Sequence, residues 1–470
     1  MIKKTLLFLV LAMAMNFLPG KAMNVVFFLV DDMGYHDLSL TGSEFYETPR
    51  IDSLAGDGLM LDQAYSAFPR CVPSRFAMMS GVHPSRAEGD GENTGRMKPE
   101  RVTLAEALKA HGYATFFAGK WHIGKKKNEF PEAQGFDVNI AGGSAGAPGS
   151  YFPPYGSDKP GLTGPEVLNN DEGKYLTDVL TDKTLEFIDE HQEEPFFVYF
   201  SHYAVHTPIQ GKQDKTERYS EKVETIQYEG PEYDMGKDGR HLRHQNNAGY
   251  AAMVESVDES LGRIVERLKE LGIYDETIII LTSDHGGLSN AGINNKRELA
   301  TTNLPLRAGK GHMYEGGIRV PVIVRWPGHA EEGKTASFPI TGMDYYPTIL
   351  QMLELPLQPD VHEDGVSFVP GIKGECGFNE DRSFFWYSDK GRLTSTGDRN
   401  AAVIRRGNYK LLEFFSEKEI ELYDLSKDPA ETENLAESLP AIRESLYKEL
   451  LEWKSAMKVK DRNQTTKFDY

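Results

Sequence analysis

Apolar residues recur along the chain in short continuous runs, separated by longer stretches with a helical period. The first run, 24–30, is rich in Val and Phe and holds no charged residue. Such runs are typical of strands that are buried on both faces of a parallel sheet. Similar runs follow at 113–118, 196–200, 277–282 and 320–326. The pattern predicts the central strands of one sheet.

Between these runs lie amphipathic segments, and they are 103–110, 175–191 and 250–271. Strands that alternate with helices in this way favour an α/β fold, a doubly wound and mostly parallel sheet flanked by helices. Beyond about residue 365, four short β-prone runs precede a helical segment near 439–457. They favour a smaller C-terminal α+β region with an antiparallel sheet and a terminal helix. The predicted boundaries are 23–365 and 366–470.

The first 22 residues have the character of an export signal. Lys3 and Lys4 precede a short apolar run, 6–15, which helix-breaking residues then end. A basic start, a short apolar core and a small residue near the end are features of a secretory signal peptide. The run is too short to span a bilayer comfortably. We expect residues 1–22 to be removed and the mature chain to be periplasmic or extracellular, without a membrane anchor.

Composition adds two constraints. The chain has 470 residues, with 52 Lys and Arg against 71 Asp and Glu and a net charge of −19. Because a negative field repels phosphate backbones, we expect no nucleic-acid partner, although a local cationic pocket can still hold a small anion. The two cysteines, Cys71 and Cys376, are too few for a disulfide-built scaffold. We expect no role for Cys376, and the oligomeric state is not readable from the sequence.

Polar side chains follow the ends of the predicted strands. In chain order they are Asp31 and Asp32, Lys120 and His122, His202 and His206, and Asp284 and His285. The carboxyl ends of parallel strands meet at the edge of an α/β sheet that binds ligands. We therefore expect these side chains to lie in one crevice. Lys310 precedes the fifth run, so it reaches this crevice if its loop folds back.

The carboxylates suggest a divalent cation. Adjacent side chains at Asp31 and Asp32 repel each other unless something positive lies between them. Hard oxygen ligands favour Ca²⁺, with Mg²⁺ second. Asp284 can complete such a cage, and His285 can add a nitrogen. The alternatives are a helix N-cap pair for the first two residues and a supporting role for His285.

Cys71 opens the segment Cys-Val-Pro-Ser-Arg, which an apolar stretch follows as far as Gly81. A proline near the start and a glycine at the end predict a helix that begins here. Its N-terminal N–H groups attract an anion, and Arg75, one turn on, can present a forked donor to a tetrahedral oxyanion. Cys71 is then either a nucleophile with a lowered pKa or an inert buried thiol.

The segment from Cys71 to Arg75 resembles the C-x-P-S-R signature of the type I, formylglycine-dependent sulfatases, which belong to the alkaline-phosphatase-like superfamily. Other segments are similar to that family: the Asp pair at 31–32, residues 112–124, Asp284-His285-Gly286, Lys310 in Gly-Lys-Gly-x-x-x-Glu-Gly-Gly, and the tail with 421–425 and Asp428-Pro429. The resemblance extends from about residue 24 to 436. It identifies a bacterial polysaccharide sulfatase as the expected class of protein.

The resemblance implies a sulfuric ester hydrolase that removes sulfate from a sulfated carbohydrate, either an algal polysaccharide or a glycosaminoglycan oligosaccharide. It further implies that a maturase converts Cys71 to formylglycine, and that the reaction passes through a covalent sulfated intermediate. The hydrated formylglycine is expected to bind Ca²⁺ with the implied metal ligands Asp31, Asp32, Asp284 and His285.

The remaining roles also come from the resemblance. Arg75 and Lys120 are expected to hold the hydrated formylglycine, and His122 to attend its second hydroxyl. Lys310 is expected to hold the sulfate oxygens. His206 is the expected histidine facing the leaving group, with His202 as the rival. Lys120 and His206 are also counted with the substrate-binding residues.

Two other classes of function stay open at this point. One is a phosphatase or phosphodiesterase of the same superfamily, against which the C-x-P-S-R context argues. The other is a non-catalytic sulfoglycan-binding protein. Candidate specificity elements are the loops 142–165, 210–247 and 289–308. Arg86 and His83 are candidate sugar contacts or ordinary surface residues.

Overall fold

The structure is a computed structural model that describes residues 22–87, 96–156, 164–168 and 173–463. Apart from residue 22, the predicted export signal lies outside the described residues. Among the helices that are described, none is long and apolar enough to cross a membrane.

The strands occur in four sheets, and the predicted apolar runs form the centre of the largest. In chain order the strands are β1 (Asn24–Val30), β2 (Leu59–Leu61), β3 (Ala64–Tyr65), β4 (Ala114–Gly119), β5 (Val138–Ile140), β6 (Phe196–Ser201), β7 (Tyr233–Gly236), β8 (Gly239–Leu242), β9 (Thr277–Ser283), β10 (Val322–Arg325), β11 (Lys334–Ala336), β12 (Ile340–Thr341), β13 (Ser383–Ser388), β14 (Ala401–Arg406), β15 (Tyr409–Phe414) and β16 (Glu419–Asp424). The large sheet has eight strands in the order β11-β2-β10-β9-β1-β6-β4-β5.

The helices of the described chain are α1 (Pro49–Gly56), α2 (Cys71–Ser80), α3 (Leu104–Lys109), α4 (Leu176–Glu190), α5 (Gln213–Val223), α6 (Ala248–Glu270), α7 (Glu315–Ile318), α8 (Tyr345–Met352), α9 (Val369–Ile372) and α10 (Pro440–Ala456). The side chains of β1 alternate between two hydrophobic cores, one on each face of the large sheet. Helices α1, α4 and α6 pack on one face, and α2, α3, α8 and α9 pack on the other. The predicted doubly wound α/β fold is confirmed.

One central strand runs against the others. β1 pairs in parallel with β6 and β9, whereas β10 is antiparallel to β9. Val322, at the start of β10, therefore lies opposite Thr282, near the end of β9. Because of this reversal, the loop before β10 already stands at the edge where the parallel strands end. Lys310 reaches the crevice for that reason, without the fold-back that the sequence seemed to require.

The second sheet is the predicted antiparallel meander β13-β14-β15-β16. One of its faces packs against α10, and the other packs against Tyr65 and the segment 313–318 of the large domain. Helix α9 lies beyond residue 365 but packs in a core of the large sheet. The second sheet itself begins at Ser383.

Three buried charged residues join the two sheets, and we call them the Lys410 cluster: Glu315, Lys410 and Glu431. Lys410 Nζ lies 3.0 Å from a carboxylate oxygen of Glu315 and 2.8 Å from one of Glu431. The backbone N–H of Glu315 also donates to Glu431 at 2.6 Å. The cluster ties α7 to β15 and to the segment that follows β16.

The region 210–247, expected to be a long loop, contains secondary structure. It holds α5 and the β7-β8 hairpin. Both are highly polar, so neither shows the hydrophobic period on which the prediction relied. α5 is instead anchored by Tyr219, which stacks edge-on against Phe45, and by Lys215, which pairs with Glu255 of α6.

Candidate active site

The ends of β1, β6 and β9 are joined by backbone hydrogen bonds. Asp31 donates to the carbonyl of Ala204 and accepts from the N–H of Val205, at 3.0 and 2.9 Å. Asp284 donates to the carbonyl of Val30 at 3.2 Å. Asp32 has a φ of 63°, a left-handed conformation that is uncommon outside glycine. The strand ends thus fix the directions of the buried carboxylates.

Cys71 is the first residue of α2, as predicted, and Gly81 ends the helix with a φ of 67°. Its Sγ lies 3.2 Å from Nε2 of His285. Burial by itself raises the pKa of the Cys71 thiol, but the charges of Lys120 and Lys310 outweigh it and the net shift is downward. The thiol therefore lies in a strongly cationic pocket at a helix N-terminus.

Asp31, Asp32, Cys71 and His285 each point one ligand atom into a common space, and these atoms lie within 4.8 Å of one another. Asp284 borders this group, with a carboxylate oxygen 3.6 Å from His285 Nε2. Burial would lower the pKa of His285, but Asp284 and then Cys71 raise it to about 9. The negative groups around Nε2 thus favour positive charge at this place, which is the environment that a bound cation requires.

Cationic side chains neutralise these carboxylates from the other side. Lys120 Nζ lies 2.6 Å from Asp31, and Lys310 Nζ lies 2.6 Å from Asp32. Burial would raise the pKa of Asp32, but Lys310, with smaller contributions from neighbouring cations, holds it well below its ordinary value. Arg75 donates from Nε to Asp284 at 2.8 Å. We call these residues, together with Asp31, Asp32, Cys71, Asp284 and His285, the Cys71 cluster.

One atom of the cluster bears on whether a metal fits. Asp31 Oδ1 is buried and accepts no hydrogen bond from any residue in the described part of the chain. The charged Nη2 of Arg75 lies 3.1 Å away but is poorly aligned for one. Buried carboxylate oxygens ordinarily have a partner. An open oxygen beside Asp32, Cys71 and His285 fits a divalent cation, so the residues present suit the expected metal.

Two histidines line the open side of the cluster, and both are only partly buried. His206 Nε2 lies 3.7 Å from Asp32, while its Nδ1 lies 2.8 Å from the carbonyl of Thr207. His122 lies with Nδ1 3.3 Å from the carbonyl of Ser144 and has a φ of 63°. Burial and nearby lysines lower the pKa of both rings well below the ordinary value. In the free protein both are neutral.

His202, the rival of His206, lies elsewhere. Its ring is buried between Phe28 and Phe200, with centroid distances of 4.6 and 4.0 Å. Its Nε2 lies 3.4 Å from the hydroxyl of Ser260, and burial lowers its pKa to about 3. The chain turns away from the direction of β6 between His202 and His206, so the two rings point to different places. The structure places His202 in the hydrophobic core and His206 in the crevice.

Arg86, expected as a candidate sugar contact, is not brought to the crevice. It follows the C-terminal end of α2, about 15 Å along the helix from Cys71, and its Nε donates to Asp364 at 2.9 Å. His83 is buried, with Nε2 3.0 Å from the carbonyl of Phe385. Both residues connect the end of α2 to other segments, which explains their polarity without a ligand.

Sequence reasoning missed residues that hold the site together. Ser201, the last residue of β6, accepts from Arg75 at 2.6 Å. Ser74 donates to the carbonyl of Asp284 at 2.5 Å. A Cβ on Gly146 would lie 2.3 Å from the ring of His122, so only glycine fits there. Serines and glycines are too common for their type to single them out, but Ser74 and Ser201 adjoin motifs already noted.

Family comparisons agree with this geometry. The family model described as sulfatase matches residues 23–355. A second model, described as the C-terminal part of N-sulphoglucosamine sulphohydrolase, matches residues 308–457. Together the two matches span the large eight-stranded sheet and the second sheet, β13-β14-β15-β16.

Individual proteins are also similar. Arylsulfatase J of Mus musculus is 31% identical over 356 residues, which is 73% of this chain and 54% of that protein, so the chain spans about half the length of this relative. N-acetylgalactosamine-6-O-sulfatase of Bacteroides thetaiotaomicron is 28% identical over 513 residues, covering 91% of this chain and 92% of the relative. The crystal structure of Ps i-CgsB with k-i-k-neocarrahexaose is 27% identical, with a TM-score of 0.74 and 95% of each chain covered.

Proposed function

Since this chain belongs to the sulfatase family, we propose that it hydrolyses a sulfate ester of a carbohydrate at the Cys71 cluster. The observation that carries the proposal is the place of Cys71 at the start of α2. There its sulfur lies 3.2 Å from His285 and within the group of buried ligand atoms. A nucleophile, a metal-ligating set and several cations thus converge on one point.

The proposal includes conversion of Cys71 to formylglycine by a maturase and Ca²⁺ held by Asp31, Asp32, Asp284, His285 and residue 71. Conversion supplies a hydrated aldehyde, one hydroxyl of which can attack sulfur and carry the sulfate covalently until it is eliminated. The cation, when bound, supplies Lewis acidity that lowers the pKa of that hydroxyl. Oxygen-rich ligands favour Ca²⁺ over softer metals.

The chain's own cations hold the anionic substrate. A sulfate monoester is a tetrahedral anion whose oxygens must be neutralised before a nucleophile can approach sulfur. Lys310 and Lys120 stand on either side of the carboxylate pair, each with Nζ at 2.6 Å from its Asp partner. We assign Lys310 to the sulfate oxygens, and Lys120 and Arg75 to the group at position 71.

His206 is proposed to protonate the departing sugar oxygen. Its ring lies at the open side of the site, and burial and Lys310 hold its pKa low in the free protein. A bound sulfate ester brings negative charge next to the ring and raises that pKa, so His206 acquires its proton as substrate arrives. His122 is proposed to remove the proton from the second hydroxyl at position 71 and so release sulfate.

The substrate class is proposed from the relatives. One relative is named for N-acetylgalactosamine 6-sulfate, and a similar crystal structure holds a neocarrahexaose. We propose a sulfated glycosaminoglycan oligosaccharide or algal polysaccharide as substrate. The predicted signal peptide supports export to the periplasm or medium, where such glycans occur.

The test is sulfate release from a panel of these oligosaccharides with Ca²⁺ present, wild type against Cys71→Ala. We expect release from at least one glycan and a loss of kcat of about 10⁴-fold or more in the variant. Thermal unfolding controls for folding, because α2 packs through Phe76 and its neighbours, which the change leaves in place. Substantial turnover by Cys71→Ala would refute the covalent route, and phosphate release from matched phosphate esters in place of sulfate would refute the sulfatase assignment. Peptide mass spectrometry of residue 71 measures whether Cys71 has been converted.

A further inference from the structure

Three arginines from separate segments lie around the mouth of the Cys71 cluster, and we call Arg70, Arg297 and Arg392 the arginine rim. Arg70 directly precedes Cys71 and caps α2. Arg297 belongs to the loop between β9 and α7, and Arg392 to the loop between β13 and β14. The rim therefore combines residues of the large domain with one from the second sheet.

The loops that carry Arg297 and Arg392 are joined to each other by backbone hydrogen bonds. The N–H of Ile293 donates to the carbonyl of Leu393 at 3.0 Å, and that of Asn294 to the carbonyl of Thr394 at 3.4 Å. A Cβ on Gly292 would lie 2.6 Å from the backbone of Thr394. This close approach places Arg297 and Arg392 on neighbouring stretches of one surface.

Arg70 links this surface to the catalytic centre. It donates to the carboxylate of Asp398 and, at 2.9 Å, to the hydroxyl of Thr396. The other oxygen of Asp398 accepts from the backbone N–H of Arg392 at 3.1 Å. One buried carboxylate therefore fixes both the arginine beside Cys71 and the backbone that carries Arg392.

Among the described residues, Arg297 and Arg392 have no acidic partner at ion-pair distance, unlike Arg70. Within the described ranges, neither guanidinium forms an ion pair or donates a hydrogen bond. Arg392 is exposed and Arg297 half-buried, so both are open to a ligand. The charge of Arg70 and then burial lower the pKa of Arg392 to about 10, and burial lowers that of Arg297, with Asp32 and Cys71 acting in the opposite direction. Their charges are thus close enough to those of the catalytic centre to be felt there.

We propose that Arg297 and Arg392 bind a second anionic group of the substrate, a sulfate or a carboxylate on the sugar that bears the scissile sulfate or on its neighbour. This inference rests on the proposed function. Lys310 is already assigned to the scissile sulfate, and Lys120 and Arg75 to the group at position 71, so the guanidinium groups of Arg297 and Arg392 at the mouth are left for another anion. A guanidinium binds either anion through two parallel N–H···O bonds. The preferred glycan therefore carries at least two anionic groups.

The test compares matched oligosaccharides that share one scissile sulfate and carry no second anion, a second sulfate, or a uronate carboxylate. For Arg392→Ala and Arg297→Ala we expect kcat/KM on the preferred dianionic glycan to fall about 10- to 100-fold, mainly through KM. On the monosulfated glycan, kcat/KM of the same variants should change less than about threefold. The sulfate and carboxylate arms show which anion is recognised. Arg406→Ala, an exposed arginine of β14 that pairs with Glu449, is the control and should match wild type.

Equal losses on the mono- and dianionic glycans would overturn the inference, because the arginines would then act on the scissile sulfate. Unchanged values on both would overturn it as well. Calorimetric titration of the same glycans into Cys71→Ala measures the Kd ratio without turnover. A dianion preference that Arg392→Ala abolishes supports the inference even where wild type releases no sulfate, so its failure and that of the proposed function remain distinct.

Discussion

The molecule buries two clusters of charge, and they are completed in different ways. In the Lys410 cluster one lysine lies between two carboxylates, and the backbone N–H of Glu315 serves the second of them. Tyr65 also donates to Glu315, at 2.8 Å. In each cluster one buried carboxylate oxygen, Glu431 Oε1 or Asp31 Oδ1, accepts no hydrogen bond from the described residues, although a cationic nitrogen lies 2.8 or 3.1 Å away. The Cys71 cluster differs because four of its side chains direct ligand atoms to one common space, and His206 borders its open side. The Lys410 cluster is filled by its own lysine, whereas the Cys71 cluster is arranged to bind a ligand.

The comparison shows that burial of charge alone does not mark a functional site. Buried ion pairs with complete hydrogen bonding restrict how elements pack, and removing one partner is costly because the other is left uncompensated. A cluster whose ligand atoms converge on one space and which has an open side is suited to binding. Substitutions in the Cys71 cluster should therefore affect catalysis, and substitutions in the Lys410 cluster should affect stability.

Of the two histidines at the open side of the Cys71 cluster, His206 should give the larger loss of kcat when it is replaced by alanine. A general acid contributes about 10²- to 10⁴-fold, so kcat on a glycan sulfate should fall by that factor. The loss should be smaller on an aryl sulfate whose phenolate departs without a proton. Sulfate release from the two kinds of substrate measures the difference.

His202→Phe is the matched control, because it changes a histidine on the same loop that faces the core. The ring lies between Phe28 and Phe200, so phenylalanine should preserve kcat within about threefold and leave the melting temperature close to wild type. A loss of activity equal to that of His206→Ala, with folding intact, would contradict the assignment of the two histidines.

Substitution in the Lys410 cluster should have a smaller effect on catalysis and a large one on folding. Lys410→Met leaves Glu315 and Glu431 buried without their cation, at a cost of about 3–5 kcal/mol in the free energy of unfolding. The folded fraction should retain kcat within about threefold. Denaturant unfolding and sulfate release on the same preparation measure the two quantities.

Lys427→Met is the matched control at an exposed ion pair. Lys427 pairs with Asp424 at 2.9 Å, with a side chain that is 80% exposed, and such pairs contribute about 0–1 kcal/mol. If Lys410→Met lowered kcat while unfolding at the same denaturant concentration as wild type, the Lys410 cluster would belong to the active site and the comparison would fail.

Much of the large sheet could be predicted because its central strands are continuous apolar runs. Strand β1 has the predicted bounds, and its side chains enter both cores. The short edge strands β11 and β5 were missed, as was β2 next to β11, since three-residue strands carry no periodic signal. The direction of β10 could not be predicted from the sequence either, because a parallel and an antiparallel strand can have the same apolar run.

The site was predictable where residues adjoin strand ends or motifs. Cys71, Arg75 and Lys120 meet as the resemblance implied, whereas His202 and His206 follow the same strand within a few residues, and the loop geometry decides which of them faces the crevice. Arg392 comes from a segment more than 300 positions after Cys71 in the sequence, so nothing local could bring the two together. The Lys410 cluster was missed for the same reason, because its members belong to three distant segments.

The smallest expected effect is a pH dependence of protein stability that arises from Glu431 of the Lys410 cluster. Burial, only partly offset by Lys410, raises the pKa of Glu431 from 4.5 to about 7, and the carboxylate of Glu315 adds to the rise. Between these two values the folded chain holds a proton that the unfolded chain has released, so the stability of wild type falls as pH rises through this window. Glu431→Gln cannot ionise, and its stability relative to wild type should therefore increase from about pH 5 to pH 7 and then level off.

Melting temperatures of Glu431→Gln and wild type, measured from pH 4.5 to 8, follow this difference. The control is Glu452→Gln, at an exposed glutamate of α10, which should show no such trend. A difference between Glu431→Gln and wild type that stayed constant with pH would mean that Glu431 is ionised throughout, and that two carboxylates share the single charge of Lys410 in the Lys410 cluster.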